Sequence, residues 1–378
     1  MSEDMKNDLD RAARHYPPPP DALERLARAH ERDQQKKEVT ALVIGIGAAA
    51  VTIGLTLFAL RPGLGTKPTT QSGGGILAPT NGDLLYAKYD GNAGWHLFAA
   101  DPTTGAERLL THGTRDYGSD WSPDGSKIVY DSESSTGFDI VVSNADGSNP
   151  NVIGTGEDPT WSPDGTRIAY AGEGGSIWVM NIDGSDAHAI TEGATAGQGT
   201  GQDAAYDWNP AWSPDSHSIA YVRVVAYRFA PVPSGQGSTQ VTLGQVRVWH
   251  DGSGPYDTML TDAYTNIGEL DWSSDGSTIV FTGAPTLFYE KETNGLAWPR
   301  VLLIPSDGGS VTPISPDEKT WAAGATWSPD GEWIAYVDNN HSLVVMRPDG
   351  TDRRTLAIDP GGDEIIGPSW GVAPSAST

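Results

Sequence analysis

A five-residue motif, Trp-Ser-Pro-Asp-Gly, recurs along this chain and constrains its fold more than any other feature. Full copies begin at Trp121, Trp161 and Trp327, and copies with one substitution begin at Trp212 and Trp272. An Ile follows seven residues after each Trp, and an aromatic residue follows nine residues after it. Since alternate residues of a strand share one face, this spacing predicts a strand with one buried face after each turn. The recurrence predicts a repeat architecture.

The repeated residues are interpreted as structural. Pro sets φ at the first central position of a turn, Asp suits the next position, and Gly tolerates positive φ. We expect each Trp to fill the core between neighbouring sheets, because an apolar residue at one place in every repeat most simply serves a shared core. The residues assigned to this structural repeat are Trp121, Asp124, Trp161, Asp164, Trp212, Asp215, Trp272, Asp275, Trp327 and Asp330.

Each repeat also carries a second turn, Asp-Gly, between two further strands. A unit therefore has four strands, A to D, of which strand A ends in Trp-Ser. Four-stranded units that recur about every forty residues or more predict the blades of a propeller. Five units carry the motif and one unit precedes them, which predicts an all-β, six-bladed β-propeller of four-stranded blades. Either the C-terminal strand around Pro368–Trp370 or the segment Ile76–Ala78 could supply strand A of the first blade.

These motifs resemble the TolB-type propeller repeat over roughly residues 80–372. The resemblance implies a propeller fold. It implies a Tol-Pal envelope role only for members that carry an additional N-terminal α/β domain. Similar propellers also precede the hydrolase domain of prolyl oligopeptidases. This chain has an apolar segment where the α/β domain would stand, which argues against a Tol-Pal role.

That apolar segment, residues 41–60, holds twenty residues without a charge. Its length suits a helix that crosses about 30 Å of hydrocarbon, and we predict an uncleaved signal anchor. A buried helix of a soluble domain and a cleaved signal peptide are the alternatives. Basic residues are concentrated before the segment. This bias predicts a single-pass membrane protein with its N-terminus in the cytoplasm and its propeller on the extracytoplasmic side. The predicted organisation is a short helical cytoplasmic segment at 1–40, a transmembrane helix at 41–60, a flexible tether at 61–75 and the propeller at 76–378.

Composition narrows the classes of partner. The net charge of −25 argues against nucleic acid, because a binder must neutralise phosphates with Lys and Arg. The chain contains no cysteine, so it forms neither a disulfide nor a thiolate metal site. We expect the turn aspartates to stabilise their turns and not to bind calcium. No metal and no cofactor is predicted.

The long insertions all fall on one face of the predicted propeller. Strands alternate in direction, so the A–B and C–D turns share one face, and the B–C and D–A connections share the other. The insertions at 192–209, 227–244 and 284–299 belong to the second face, and long loops on a rigid scaffold often carry binding sites. Their aromatic and acidic residues suit a sugar, a cationic group or a protein, although such aromatics could also cap the blade edges. The candidate partner-binding residues are Asp203, Tyr206, Asp207, Trp208, Tyr227, Phe229, Phe288, Tyr289, Trp298 and Trp321.

The sequence favours a membrane-anchored, extracytoplasmic binding or sensing module over an enzyme. The expected partner is an envelope protein or a cell-wall glycan, with a cytoplasmic regulator as a further partner of residues 1–40. No catalytic residue is assigned: Gly367–Gly371 matches Gly-x-Ser-x-Gly but lacks the helix that a nucleophile elbow needs. The alternative is an anchored hydrolase or lyase that acts at the propeller mouth through Asp203 and Asp207.

Overall fold

The computed structural model describes ten stretches of the chain. They are residues 81–89, 94–193, 206–231, 238–252, 257–262, 264–285, 298–315, 321–338, 341–356 and 364–373, with the main chain alone at 226–231, 238–242 and 285. The predicted cytoplasmic segment, transmembrane helix and tether lie outside these residues, and the domain boundaries stay predictions.

No helix in the described part of the chain combines the length and the apolar composition needed to cross a membrane. The predicted localisation is corrected on this finding: the structure does not support a single-pass membrane protein. The predicted span at 41–60, and with it the membrane as a partner, belongs to the part of the chain that is not described.

The described residues form 25 strands and one short 3₁₀ turn at Glu173–Gly175. The first nine strands are β1 (Asn81–Tyr89), β2 (Trp95–Ala100), β3 (Glu107–Leu109), β4 (Asp116–Trp121), β5 (Lys127–Ser134), β6 (Gly137–Asn144), β7 (Asn151–Thr155), β8 (Glu157–Trp161) and β9 (Arg167–Gly172). The next eight are β10 (Ser176–Asn181), β11 (His188–Ala189), β12 (Tyr206–Trp212), β13 (Ser218–Pro231), β14 (Ser238–His250), β15 (Asp257–Met259), β16 (Tyr264–Thr265) and β17 (Leu270–Trp272). The last eight are β18 (Thr278–Pro285), β19 (Arg300–Pro305), β20 (Thr312–Pro313), β21 (Ala322–Trp327), β22 (Ile334–Asp338), β23 (Leu343–Met346), β24 (Arg354–Thr355) and β25 (Ile365–Val372).

Four antiparallel sheets have the four-stranded form expected of a blade. Their strand orders are β25-β1-β2-β3, β4-β5-β6-β7, β8-β9-β10-β11 and β21-β22-β23-β24. The all-β, propeller-like fold is thus confirmed. The structure shows four separate four-stranded blades and not the predicted six, because the other nine strands share one sheet.

The nine-stranded sheet joins two antiparallel meanders, β12-β13-β14-β15 and β17-β18-β19-β20. The short strand β16 lies between them and pairs with Leu243 and Gly244 of β14 and with Ala284 and Pro285 of β18. The connection predicted at 227–244 is corrected as well, since β13 and β14 extend through most of it and remain paired as far as Pro231 and Ser238.

The innermost strands of these units form a closed ring. Strand β25 contacts β4, β4 contacts β8, β8 contacts β12, β12 contacts β17, β17 contacts β21, and β21 contacts β25. The C-terminal strand β25 pairs with β1, with Leu84 opposite Trp370, and so supplies the inner strand of the first blade. This pairing answers the question of which strand closes the ring, and it leaves β1 without an open inner edge.

Six apolar clusters lie between neighbouring units, and each contains one Trp at or near the end of an inner strand. In one cluster, Trp121 packs with Leu85 and Leu97 of the preceding blade and with Ile128 and Tyr130 of its own blade. The other five are Trp161, Trp212, Trp272, Trp327 and Trp370, and all six are at most 8% exposed. Burial of a large aromatic between two sheets stabilises their contact by roughly 2 kcal/mol or more.

The aspartate of each motif accepts hydrogen bonds inside its own turn. Asp124 Oδ1 accepts from the Ser122 hydroxyl at 2.7 Å and from the main-chain N–H of Ser126 at 3.0 Å. The Ser273 hydroxyl, with the main-chain N–H and hydroxyl of Ser277, lowers the pKa of Asp275 to about 2. Equivalent bonds reach Asp164, Asp215 and Asp330.

In several units the second turn packs closely against the preceding blade. Gly184 has φ of +84°, and a Cβ added there would lie 2.2 Å from the carbonyl oxygen of Ile153 in the neighbouring blade. Gly147 approaches the carbonyl of Leu110 in the same way. Glycine therefore serves both the positive φ and the close contact between blades at these two turns.

Two opposite faces follow from the alternating strand directions. We call the face that holds the Trp-Ser-Pro-Asp-Gly and Asp-Gly turns the turn face. The opposite face, which holds the β1–β2, β5–β6, β9–β10 and β13–β14 connections and the segments leading into the inner strands, is called the connection face.

Candidate functional site

A cavity of about 290 Å³ lies at the centre of the ring, lined by the six inner strands. We call it the central cavity. Four acidic residues line it: Asp120, Asp158, Glu269 and Asp271. All four stand at repeat-related positions: Asp120 and Asp271 each precede the Trp of a motif, and Asp158 and Glu269 each lie three residues before one.

Asp120 bridges three inner strands. Its Oδ2 accepts from the Thr160 hydroxyl at 2.9 Å and from the main-chain N–H of Trp161 at 2.9 Å, both on β8. Its Oδ1 accepts from the main-chain N–H of Trp121 at 2.9 Å and from the Ser369 hydroxyl of β25 at 2.8 Å. Burial raises the pKa of this carboxyl above its ordinary value, while the four hydrogen bonds oppose that shift.

Asp271 makes the same bridge between β17 and β21. Its Oδ2 accepts from the Thr326 hydroxyl at 2.9 Å and from the main-chain N–H of Trp327 at 2.7 Å, and its Oδ1 accepts from the N–H of Trp272 at 2.8 Å. Burial, aided by the negative charge of Asp120, raises the pKa of Asp271 to about 7 against these hydrogen bonds. We call the two arrangements the carboxylate bridges.

Asp158 begins a bend in its inner strand and adopts φ of +52°. Its main-chain N–H donates to Oδ2 of Asp131 at 2.9 Å, so the two carboxyl groups lie close together. Burial raises the pKa of Asp131 to about 7 and also raises that of Asp158, to which the negative charge of Asp131 adds. Burial likewise raises the pKa of Glu269.

The bend recurs three residues before the terminal Trp in five of the six inner strands. The residues with positive φ there are Gly118, Asp158, Asn209, Gly324 and Gly367. The strand pairing shifts register at each of these places, as it does at a β-bulge. Gly, Asn and Asp are the residue types that adopt this conformation most readily, so the pattern is visible in the sequence once the Trp positions are aligned.

The central cavity is thus an acidic chamber in which burial raises the pKa of each lining carboxyl, and that of Asp271 rises to about 7. Such groups suit proton transfer or the binding of a positively charged group. Within the described ranges, no three His, Asp or Glu side chains are grouped so that they would hold a metal ion.

The first insertion places three candidate partner-binding residues on β12. The rings of Tyr206 and Trp208 contact each other at 6.2 Å, and Trp208 packs on the apolar core. Asp207 is 2% exposed. It pairs with Arg223 Nε at 2.7 Å and accepts from the Thr191 hydroxyl at 2.6 Å. These contacts hold the Asp207 side chain inside the blade.

The other candidates are spread over the connection face. The ring of Trp321 contacts His341 at 5.8 Å, and Trp298 is 51% exposed just before β19. Among the described residues, no ring contact joins either Trp to Tyr206 or Trp208. Tyr227 and Phe229 lie on β13, where only the main chain is described, and Asp203, Phe288 and Tyr289 lie outside the described residues.

An aromatic row on the connection face was not predicted from the sequence. Its four rings, from the first two blades, are Tyr89, Trp95, Tyr117 and Phe138. Successive centroids are 5.6, 5.4 and 6.1 Å apart, and successive ring planes are tilted by 49°, 52° and 56°. The rings stand beside short connections, whereas the residues predicted to bind a partner lie in longer ones. The name aromatic row is kept for these four residues.

Comparison with known proteins supports the fold. No known family profile matches the chain, and no curated protein matches it in sequence. One chain of a nidogen/laminin complex is similar in structure, with a TM-score of 0.55 and 12% identity over 78% of this chain and 99% of that one. A structure from Agrobacterium tumefaciens assigned to TolB gives a TM-score of 0.51 and 18% identity, again over 78% and 99%. The expected likeness to TolB-type propellers is confirmed for the fold, and the membrane anchor is not shown.

The prediction that the protein is not an enzyme is corrected by the same comparison. An oligogalacturonate lyase in complex with manganese matches with a TM-score of 0.44 and 14% identity over 73% of each chain, and a puromycin hydrolase also matches. Likeness at this level assigns no activity to the present chain. One fold can host many functions, so the fold of this chain does not exclude catalysis.

Proposed function

We propose that this protein is a binding propeller that engages a protein partner through its connection face. The observation that carries the proposal is the hairpin of β13 and β14. These strands have 14 and 13 residues. The second and third strands of the other units have four to nine. The hairpin therefore continues beyond its blade on the connection face.

The hairpin is supported on one side by the neighbouring unit. Strand β16 pairs with both β14 and β18, so it joins the base of the hairpin to the next meander. An isolated two-stranded hairpin is only marginally stable in water, and a further strand adds stability. A long, supported hairpin suits a macromolecular partner better than a small ligand. Of the two partner classes predicted from the sequence, we therefore propose the protein over the glycan.

Charge indicates what such a partner carries. The net charge of the chain is −25, and the central cavity is lined by carboxyl groups. A partner with a positive surface would be attracted to this protein at a rate that falls as ionic strength rises. The nidogen/laminin complex contains a chain of the same fold, so that fold takes part in a protein complex there.

We further infer that the two meanders of the nine-stranded sheet act as two blades, which gives six blades in all. The closed sequence of six inner strands supports this inference, as do the six apolar clusters. On this view β16 is an addition to the connection face and not a structural element of either blade.

The test compares paired charge changes on the two faces. The tagged full-length chain is used to isolate its partner from the native source, and binding to the purified partner is then measured at several salt concentrations. The variant Glu173→Gln with Glu192→Gln removes two exposed charges from the connection face. The matched control, Asp251→Asn with Glu332→Gln, removes two exposed charges from the turn face.

We expect the connection-face variant to bind about three- to tenfold more weakly and with a smaller dependence on salt. The turn-face control should bind like the wild type. Equal weakening by both variants, or weakening by the turn-face variant alone, would contradict the proposed binding face.

A second candidate function, acid–base hydrolysis, is favoured by one observation. Burial raises the pKa of Asp131 to about 7, and the carboxyl of Asp158 lies beside it. A carboxyl that keeps its proton near neutral pH can act as a general acid. Turnover of chromogenic esters and glycosides by the full-length chain, abolished by Asp131→Asn, would support this candidate. No turnover by the wild type would exclude it for those substrate classes.

A further inference from the structure

We propose that the aromatic row binds a proline-rich segment with basic residues, in the polyproline II conformation, on the partner protein. This inference rests on the proposed function, since it names the kind of segment that the connection face recognises. The aromatic row lies across two blades, at the ends of β1, β2, β4 and β6 that reach the connection face.

The spacing of the rings fits this conformation. A polyproline II helix rises about 3.1 Å per residue, so two residues advance about 6.2 Å. The centroids of the aromatic row are separated by 5.4 to 6.1 Å, which is close to that advance. Successive ring planes are tilted by 49° to 56°, and a row of aromatic side chains is the kind of surface onto which proline-rich segments dock.

The row is held in place before any ligand binds. Gly94 has φ of +114°, and a Cβ added there would lie 1.9 Å from the carbonyl oxygen of Thr114. The main-chain N–H of Trp95 donates to that carbonyl at 3.2 Å, and Trp95 also forms a bridge with Arg115. These main-chain contacts fix Trp95 beside Tyr117 across the boundary between two blades. A fixed surface and a preformed ligand helix lose little conformational entropy on binding.

The polar groups around the row suit the main chain of such a ligand. A polyproline II helix makes no internal hydrogen bonds, so its carbonyl groups are free to accept from a receptor. The Nε of Arg115 donates to the Tyr117 hydroxyl oxygen at 2.8 Å. The hydrogen of that hydroxyl therefore remains for a ligand carbonyl.

The charge of the row selects basic residues in the ligand. Glu133 lies directly opposite Phe138 in the strand register and has a side chain that is 39% exposed. Its partner Arg115, at 3.3 Å, is 50% exposed, and a pair this exposed contributes little to stability. A Lys or Arg of the ligand can take the place of Arg115 beside Glu133. The net charge of −25 attracts the same residues.

The experiment measures binding of labelled peptides to the full-length chain. The probe is a peptide of two arginines followed by eight prolines. Its control has two arginines followed by four Gly-Ser pairs, which keeps the charge and removes the helix. A neutral octaproline and an uncharged oligosaccharide complete the set. The protein variants are Trp95→Ala, Glu133→Gln and, as a control for an exposed apolar residue on the turn face, Ile182→Ala.

We expect the basic proline peptide to bind at least about tenfold more tightly than the Gly-Ser control. Trp95→Ala should weaken binding of this peptide by about tenfold or more, and Ile182→Ala should leave it unchanged. Glu133 lies on the surface. Glu133→Gln should weaken binding of the basic proline peptide but not binding of octaproline. The unfolding transition of Trp95→Ala shows whether that variant folds. If it does not, Glu133→Gln still decides the test.

Equal binding of the Gly-Ser control would overturn the proposal, because it would show attraction by charge alone. So would the absence of peptide binding, or binding of the oligosaccharide with the same sensitivity to Trp95→Ala. If a partner is captured through the connection face but proline peptides do not bind or compete, this inference fails while the proposed function stands.

Discussion

At the scale of single residues, the carboxylate bridges tie one unit to the next. Asp120 and Asp271 each accept hydrogen bonds from the Thr and the main-chain N–H that stand at the same place in the following unit. The sequence carries a matching signal, since Asp-Trp-Ser in one copy is followed by Thr-Trp-Ser in the next at both places. A buried donor left without an acceptor is costly, so these acids are expected to matter for stability.

Asp271→Ala should lower the free energy of unfolding by about 2 to 4 kcal/mol, because it leaves the donors of Thr326, Trp327 and Trp272 without an acceptor. Chemical denaturation of the full-length chain measures the loss. The matched control is Asp349→Ala, which removes an exposed turn acid and should change stability much less. Similar losses in both variants would show that the bridge has no special role.

The buried acids also predict how stability depends on pH. Asp271 and Asp131 have a pKa of about 7 in the folded protein, above the ordinary value of 3.8, and burial is the main cause. The folded state therefore binds protons more strongly than the unfolded state does. The stability contributed by the protonated groups is complete below pH 3.8 and is lost as the pH rises through about 7.

The free energy of unfolding should accordingly fall by roughly 2 to 3 kcal/mol for each of the two groups between pH 5 and pH 8. Exposed turn acids such as Asp275, with a pKa of about 2, are ionised throughout this window and do not contribute. Asp271→Asn should make the fall smaller, whereas Asp349→Asn should not alter it. Stability that rises from pH 5 to pH 8 would contradict the assignment.

At the scale of elements, the Asp-Gly turns combine a backbone requirement with a contact between blades. Gly184 and Gly252 have nearly the same φ, +84° and +78°. A Cβ on Gly184 would lie 2.2 Å from the carbonyl oxygen of Ile153, whereas a Cβ on Gly252 would meet nothing within 4 Å. The two turns therefore separate the effect of strain from the effect of contact.

Gly252→Ala should lower the free energy of unfolding by about 1 kcal/mol, because alanine is strained in the left-handed conformation. Gly184→Ala should lower the free energy of unfolding by about 2 to 4 kcal/mol, because the added methyl group also pushes the turn away from the neighbouring blade. Thermal unfolding of the two full-length variants gives the comparison. Equal losses would mean that the turn at Gly184 makes no essential contact with the preceding blade.

The strands and turns were readable from the sequence because their signals are local. The motif spacing marks β5, β9, β13, β18 and β22, and the Asp-Gly pairs mark the turns before the outer strands. The length of β13 and β14 was not predicted, since residues 227–244 were assigned to a connection. Alternation in the flanking residues was the missed signal, and pairing across the hairpin outweighed the loop-forming composition.

The candidate site was predictable only in part for a similar reason. The face was chosen from strand direction, but the aromatic row depends on Trp95 and Tyr117 meeting across two blades through the close approach of Gly94 to Thr114. Asp207 was predicted to bind a partner. In the structure it pairs inside the blade with Arg223, which lies 16 residues away in the chain. A local sequence pattern does not predict contacts between segments that are distant in the chain.

At the scale of the whole molecule, closure of the ring depends on the C-terminal strand. Strand β25 pairs with β1, and the indole N–H of Trp370 donates to the carbonyl of Gly82 at 3.1 Å. Ser369 also reaches Asp120 in the next unit. One strand therefore joins the first blade to both of its neighbours.

A chain that ends at Asp363 lacks β25 and should lose its single cooperative unfolding transition. The reason is that β1 then presents an open inner edge and the cluster around Trp370 loses its central side chain. The control ends at Ala373 and keeps the whole strand. Circular dichroism during heating distinguishes the two, and a cooperative transition in the shorter chain would contradict closure by β25.

Site-specific photo-crosslinking shows whether a protein partner binds the connection face. A benzophenone amino acid replaces Phe138 or Trp298 on the connection face, or Ile182, which is 42% exposed on the turn face. The full-length variants are irradiated with the partner bound. We expect crosslinks to one partner from Phe138 and Trp298 and none from Ile182. Crosslinks from Ile182 alone, or equally from all three positions, would contradict binding at the connection face.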